Sequence, residues 1–145
     1  MHEVLARVNF DRDVAVLTDK SAAHQGLIVH ERSFPVLDAT INHRRPIRLR
    51  IQANDWDEQP PSIALLRPDG SPWPVAEDPL PSGSVFNGSA HPSTGRPFIC
   101  MRGVREFHTH PSHLNERWDN YRGQDGMGLV GILMQVSHAW RRVAA

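Results

Sequence analysis

The chain has 145 residues, enough for one domain that buries roughly 68 to 70% of the surface its unfolded form exposes. Its 16 basic and 16 acidic residues cancel, and a pI near 7.1 excludes the whole-molecule field with which a nucleic-acid or anionic-membrane binder draws in its partner. With 39% apolar and 22% charged residues and no apolar run near the ~20 residues that span a bilayer, the composition is that of a globular protein in water.

The N-terminal stretch MHEVLARVNFDRD carries acidic residues where a secretory signal has positive charge and an apolar block, so a cytoplasmic location is expected. Val4, Leu5 and Val8 fit a short helix there, whereas Val14 and Val16 alternate as in a strand, and both readings stay open. Residues 26–31 (GLIVHE) are short, apolar and β-branched, and residues 34–41 (FPVLDATI) place Leu37, Ala39 and Ile41 on one side; both read as strands. The alternation is stricter over residues 47–52 (IRLRIQ), with Ile47, Leu49 and Ile51 facing inward and Arg48, Arg50 and Gln52 facing water. Residues 62–66 (SIALL) make a fourth strand. Short connections and half-buried patterns predict an antiparallel meander with one face against a helix. That helix is C-terminal, where Leu129, Ile132, Leu133, Val136, Trp140 and Val143 form one apolar stripe and Arg141 and Arg142 suit the negative end of the helix dipole. Residues 67–126 are rich in Pro, Gly, Ser and His with little periodicity, and an irregular stretch of that length inside one domain points to function. The fold class expected is α+β, a single domain over residues 1–145.

Cys100 lies in that stretch. A single cysteine cannot form an internal disulfide, so the thiol is either a small buried hydrophobe or a reactive group. Around it stand DWDEQPP at residues 55–61, leading into the fourth strand, and HPSTGRPFICM at residues 91–101. In this order of landmarks, from about residue 26 to residue 142, the sequence resembles ubiquitin-conjugating enzymes: a four-stranded meander, a Pro-Pro turn before the last strand, a His-Pro-Asn tripeptide, an Ile-Cys-Leu and a crossing helix. The resemblance implies a ubiquitin-conjugating fold without the family's last two helices. It further implies that Cys100 accepts a ubiquitin-like protein from an activating enzyme as a thioester and passes it to an amine. Standalone bacterial members of this kind accompany a ubiquitin-like protein, an activating enzyme and a deubiquitinase, some in antiphage defence. No cofactor is implied, and neither nucleic acid nor membrane is an expected partner.

By the same resemblance His91 and Pro92 hold the active-site loop, and Ser93 replaces the Asn that steadies the oxyanion. Met101 and Arg102 stand where Leu and Asp are usual. A free thiol is a few per cent ionised at pH 7, and thiol exchange tolerates that, so no base beside Cys100 is expected. Asp119, Asn115 and Glu116 are the nearest polar side chains by sequence that could desolvate and orient an attacking amine. Lys20 is the one lysine beside fifteen arginines, which suits a carrier of an activated acyl group and equally an arginine-biased genome. Two other functional readings stand beside this one. His108, His110 and His113, or Cys100 as a third ligand, could hold zinc, because His108 and His110 would point to one side of a strand. His108-Thr109-His110-Pro111 also looks like the core of metalloprotease deubiquitinases, with Glu31 as a nominal base, but Trp118 and Tyr121 occupy the downstream Ser and Asp positions. The other reading is an inactive conjugating fold that binds a ubiquitin-like protein without a covalent bond. The strip His43-Arg44-Arg45 with Arg48 and Arg50 reads as the wet face of a strand.

Overall fold

A computed structural model describes all of residues 1–145. It is an α+β arrangement in which strands β1 (Leu27–Ser33), β2 (Val36–Ile41), β3 (Ile47–Gln52) and β4 (Ser62–Leu66) pair in that order as an antiparallel meander. The register sets Ala39 opposite Leu49 and Leu49 opposite Leu65, so the inward rows of β2, β3 and β4 merge into one apolar face. Leu37, Ala39, Ile41, Ile47, Leu49, Ile51 and Ile63 are all no more than 1% exposed. The strand boundaries follow from the period-2 pattern, which a one-residue slip would turn inside out.

Helix α4 (Leu129–Val143) covers that face with Leu129, Ile132, Leu133, Val136 and Trp140 buried and Val143 half-buried. Its C-terminal turn is fastened to the strand ends: the Trp140 indole N–H donates to the Arg45 carbonyl at 2.7 Å, and the Arg141 guanidinium donates to the carbonyls of Gly26 and Asn42. The Arg45 and Asn42 carbonyls thereby gain side-chain donors, and the Gly26 carbonyl, already bonded by the Asn42 N–H, gains a second one.

The N-terminal ambiguity resolves as helix. Helix α1 (Glu3–Val14) starts at His2, whose Nδ1 accepts from the Val4 N–H, and a short α2 (Asp19–His24) follows, begun by a reciprocal Thr18/Ser21 cap. The face α1 buries is Ala6, Phe10 and Val14; Val4, Leu5 and Val8 are 54 to 60% exposed. Both triplets have helical spacing, and the one with the aromatic ring goes inward: Phe10 meets the edge of Phe34 at 5.6 Å. Val16 is exposed and lies on no strand.

The outer face of the sheet departs from the expected wet surface. Asp38 and Thr40, on the outward side of β2, are 0 and 4% exposed. Arg48 grips both oxygens of Asp38 at 2.8 and 3.0 Å, Arg50 adds a bond at 3.2 Å, and His30 bonds Thr40 at 2.7 Å. The arginine stems lie over the sheet and their heads close on the buried carboxylate. Arg45 turns the other way, to Asp78 and the Pro79 carbonyl, and lies over the Trp73 and Trp140 rings. Arg45, Arg48 and Arg50 of the basic strip are therefore engaged within the molecule.

Residues 67–126 hold more regular structure than their pattern implied. Two-residue strands β5 (Phe86–Asn87) and β6 (Phe98–Ile99) pair antiparallel, helix α3 (Arg105–His108) makes one turn, and 3-10 turns occupy Pro111–His113 and Trp118–Asn120. Elements this short complete no hydrophobic period. The DWDEQPP segment ties this region to α1: Trp56 donates to Asp13, Trp118 donates to the Asp57 carbonyl, and Arg122 pairs with Asp57.

Candidate functional site at Cys100

Strand β6 delivers Cys100. Its N–H donates to the Val85 carbonyl at 2.7 Å, continuing the β5–β6 pairing by one bond, and its half-buried side chain borders an open groove whose remaining lining is residues 80–89. The chain must then turn back over α4. It does so at Gly103, φ +95°, where a Cβ would come within 3.1 Å of Met127 Sδ and 3.2 Å of Ile132, so both the dihedral and the space select glycine. The Gly103 N–H donates to His108 Nε2, and the Arg105 N–H donates to the Pro61 carbonyl, setting α3 against the Pro60-Pro61 segment.

Beneath the site, His91 is 1% exposed and has both ring nitrogens engaged by the main chain. Its Nδ1 accepts from the Ser93 N–H at 3.0 Å, which leaves the proton on Nε2 to donate to the Glu106 carbonyl at 2.8 Å. It contributes no free lone pair. It joins the 91–96 turn to α3. The Glu106 carboxyl is buried as well: Oε1 accepts from the Ser62 hydroxyl and the Ile63 N–H, whereas Oε2 has no partner. Burial pushes its pKa above the ordinary carboxylate range, opposed by the Ser62 bond. A carboxyl whose folded pKa is raised binds its proton more tightly when folded, so the fold is favoured below the unfolded value and loses stability as pH rises through the folded one. Glu106→Gln keeps both bonds to Oε1 and cannot ionise. The variant is expected to melt above the wild type at neutral pH, with the difference shrinking as pH falls through the carboxylate range; a difference that does not depend on pH would remove burial of the charge as its cause.

The principal cluster surrounds the thiol. Cys100 Sγ is 3.6 Å from His113 Nε2, and His113 Nδ1 is 3.0 Å from Glu116 Oε2. Glu116 Oε1 in turn accepts from Arg102 Nε and Nη2 at 3.0 and 2.8 Å and from the Tyr121 hydroxyl at 3.3 Å. Arg102 foremost holds the Glu116 carboxyl below its ordinary pKa, so it is ionised and can only accept. The His113 Nδ1–H therefore donates to Glu116, and in the neutral ring the Nε2 lone pair faces sulfur. Phe107, 6% exposed, stacks flat on the imidazole with centroids 4.0 Å apart. Burial, followed by the Glu116 charge, raises the Cys100 thiol above its ordinary pKa. In the resting protein the sulfur is a thiol with an acceptor in front of it, the geometry of a nucleophile, a base and an orienting carboxylate.

The remaining sequence candidates are distributed as follows. Ser93 and Pro92 are exposed on the turn that His91 holds, and Ser93 touches the site through its N–H bond to that ring. Asp119 is exposed and pairs with Arg117 at 3.4 Å. Asn115 is exposed. The three histidines do not gather as a metal set, and no group of three or more His, Cys, Asp or Glu side chains is arranged to hold an ion. His108 accepts at Nε2 from Gly103 and donates from Nδ1 to the Glu116 carbonyl at 2.6 Å, which uses both nitrogens. His110 stacks on Phe98 and accepts from the Ser112 N–H. These histidines lie on a helix and a turn, so the alternation that would have pointed them to one side is absent.

The pairing of His113 with Glu116 was not anticipated, although each residue was noted singly, the first as a metal ligand and the second as an amine-orienting group. The i, i+3 spacing across a helical turn is the one signal available.

A family model described as "Y4jH-like: Y4jH family" matches residues 87–141, well under half of the chain. A 39-residue stretch is 41% identical to the uncharacterized protein y4jH of Sinorhizobium fredii (strain NBRC 101917 / NGR234), covering 27% of this chain and 18% of that protein. The chain thus aligns to less than a fifth of the length of this curated relative. The segment matched by the family model contains Cys100, Arg102, His113, Glu116 and Tyr121.

Proposed function

We propose that the chain is a thioester carrier of the ubiquitin-conjugating type: Cys100 accepts the C-terminal acyl group of a ubiquitin-like protein from an activating enzyme and passes it to an amine. The observation that carries this reading is the setting of Cys100. A half-buried thiol follows a short strand after a four-stranded meander, at the wall of a groove lined by residues 80–89, with the buried His91 fastening the turn before it and α4 crossing behind. The groove's lining joins small residues (Ser82, Gly83, Ser84, Gly88 and Ser89) to the larger Leu80, Pro81, Val85, Phe86 and Asn87, and its length suits an extended peptide tail. An acyl donor laid there would present its terminal carbonyl to Sγ.

The test is reconstitution with a ubiquitin-like protein, an activating enzyme that charges it, and ATP. A carrier forms an adduct that thiol reductant removes and that Cys100→Ala lacks. An adduct that persists in Cys100→Ala, or none at all beside a charged activating enzyme, contradicts the proposal. A non-covalent binding module would instead give a complex that survives Cys100→Ala and never an adduct.

A further inference from the structure

We infer that His113 is the residue that takes and returns the proton at Cys100 Sγ in both halves of acyl transfer, with Glu116 and Arg102 as the residues that position it. The inference rests on the acyl-transfer reading for its substrate, but its geometry stands on the chain alone. His113 Nε2 is the one side-chain acceptor hydrogen-bonded to the sulfur, and the ring is fixed on three sides: by Glu116 through Nδ1, by the face of Phe107, and by its place on the Pro111–His113 turn. The charged and titratable neighbours that bear on it are Cys100, Glu116, His110 with its ring centroid 6.0 Å away, and, through Glu116, Arg102, Tyr121 and His108. None of the other histidines offers Sγ a lone pair.

In the loading step the Sγ proton moves to Nε2 as sulfur bonds to the acyl carbonyl carbon. The bond from that carbon to the donor's sulfur breaks, and Nε2 returns the proton to the departing thiolate. In the discharge step the nitrogen of a neutral amine bonds to the same carbon and gives its proton to Nε2. The bond to Cys100 breaks, and the proton passes to Sγ, leaving an amide and the original thiol. A half-buried thiol beside a carboxylate, its pKa raised, is seldom ionised and is a poor leaving group, and a proton shuttle at Nε2 offsets both deficits. The pair thereby sets a base at the thiol, while Ser93 is exposed on the turn before it and Asp119 pairs with Arg117.

The experiment compares wild type, His113→Gln and Glu116→Gln in three readings. Alkylation of Cys100 by iodoacetamide needs no acyl donor; it is expected to fall roughly 10²-fold at pH 7 in His113→Gln, the scale of general-base assistance, and the pH–rate profile of that variant is expected to differ in shape from that of the wild type. Glu116→Gln is expected to fall between the two. Acylation by a peptide thioester ending in Gly-Gly with mercaptoethanesulfonate as leaving group, then discharge to free lysine, is expected to slow in the same order. Nitrogen-15 shifts of the wild-type imidazole are expected to show Nδ1 protonated, a reading that requires no variant to fold. Wild-type alkylation rates and an unchanged pH profile in folded His113→Gln, or a ring protonated on Nε2, would overturn the inference. If the alkylation and tautomer results hold but the wild type never takes the peptide thioester, the proton shuttle stands and the carrier reading falls.

Discussion

Truncation of Trp140 to alanine is expected to cost about 3 to 5 kcal/mol, the range measured for large aromatic deletions in cores, and so to remove much or all of the stability of a domain this size. The ring is 0% exposed and meets three separate parts of the chain. It packs edge-on against Trp73 at 5.6 Å and Phe86 at 5.0 Å, lies under the Arg45 guanidinium, and donates its indole N–H to the Arg45 carbonyl. Phe86 belongs to β5, whose partner β6 delivers Cys100, so the loss is transmitted to the groove wall as well as to the core. Trp140→Phe separates the contributions. It keeps most of the buried surface but leaves the Arg45 carbonyl without its donor, and a cost of about 1 to 3 kcal/mol is expected. Urea unfolding of the three proteins checks both values; equal midpoints would show that this contact does not join sheet, helix and site.

Cys100→Ser is expected to abolish turnover while retaining the acyl group once it is acquired. An oxygen ester exchanges with thiols and amines far less readily than a thioester, because the alkoxide is a much poorer leaving group than a thiolate. In the reconstituted reaction the serine variant should accumulate slowly as an adduct that resists reductant and is not consumed by added lysine. Cys100→Ala should give none. If the serine variant turned over like wild type, the atom at position 100 would not be the one that carries the acyl group.

The meander and its cover were legible because each signal was long enough to repeat. Residues 47–52 alternate over six positions, and the stripe from Leu129 to Trp140 spans three helical turns, so period and face followed directly. The N-terminal helix was half legible: Val4, Leu5 and Val8 compete with Ala6, Phe10 and Val14 for the same helical spacing, and only tertiary packing of Phe10 on Phe34 decides between them. Asp38 was read past because an acidic residue on the outward side of a strand suits solvent; the two arginines that bury it come from β3 and meet it only through the sheet register. At the site, Cys100 and His91 stood out by their neighbours in sequence. The base beside the sulfur did not, since His113 and Glu116 lie 13 and 16 residues beyond Cys100 and reach it through the Gly103 turn and α3, neither of which leaves a periodic trace. In the histidine cluster closeness in sequence left shared ligation open as an alternative, and the helical turn sends the rings to different partners.

The most direct test of the account is the intact mass of the protein after reaction with a charged activating enzyme, followed by peptide mapping. The account predicts an increment of one ubiquitin-like protein less one water, located on the peptide containing Cys100 and released by reductant. An unchanged mass beside a demonstrably charged activating enzyme, or an increment that resists reductant and maps to Lys20 or the N-terminal amine with Cys100 free, would contradict it.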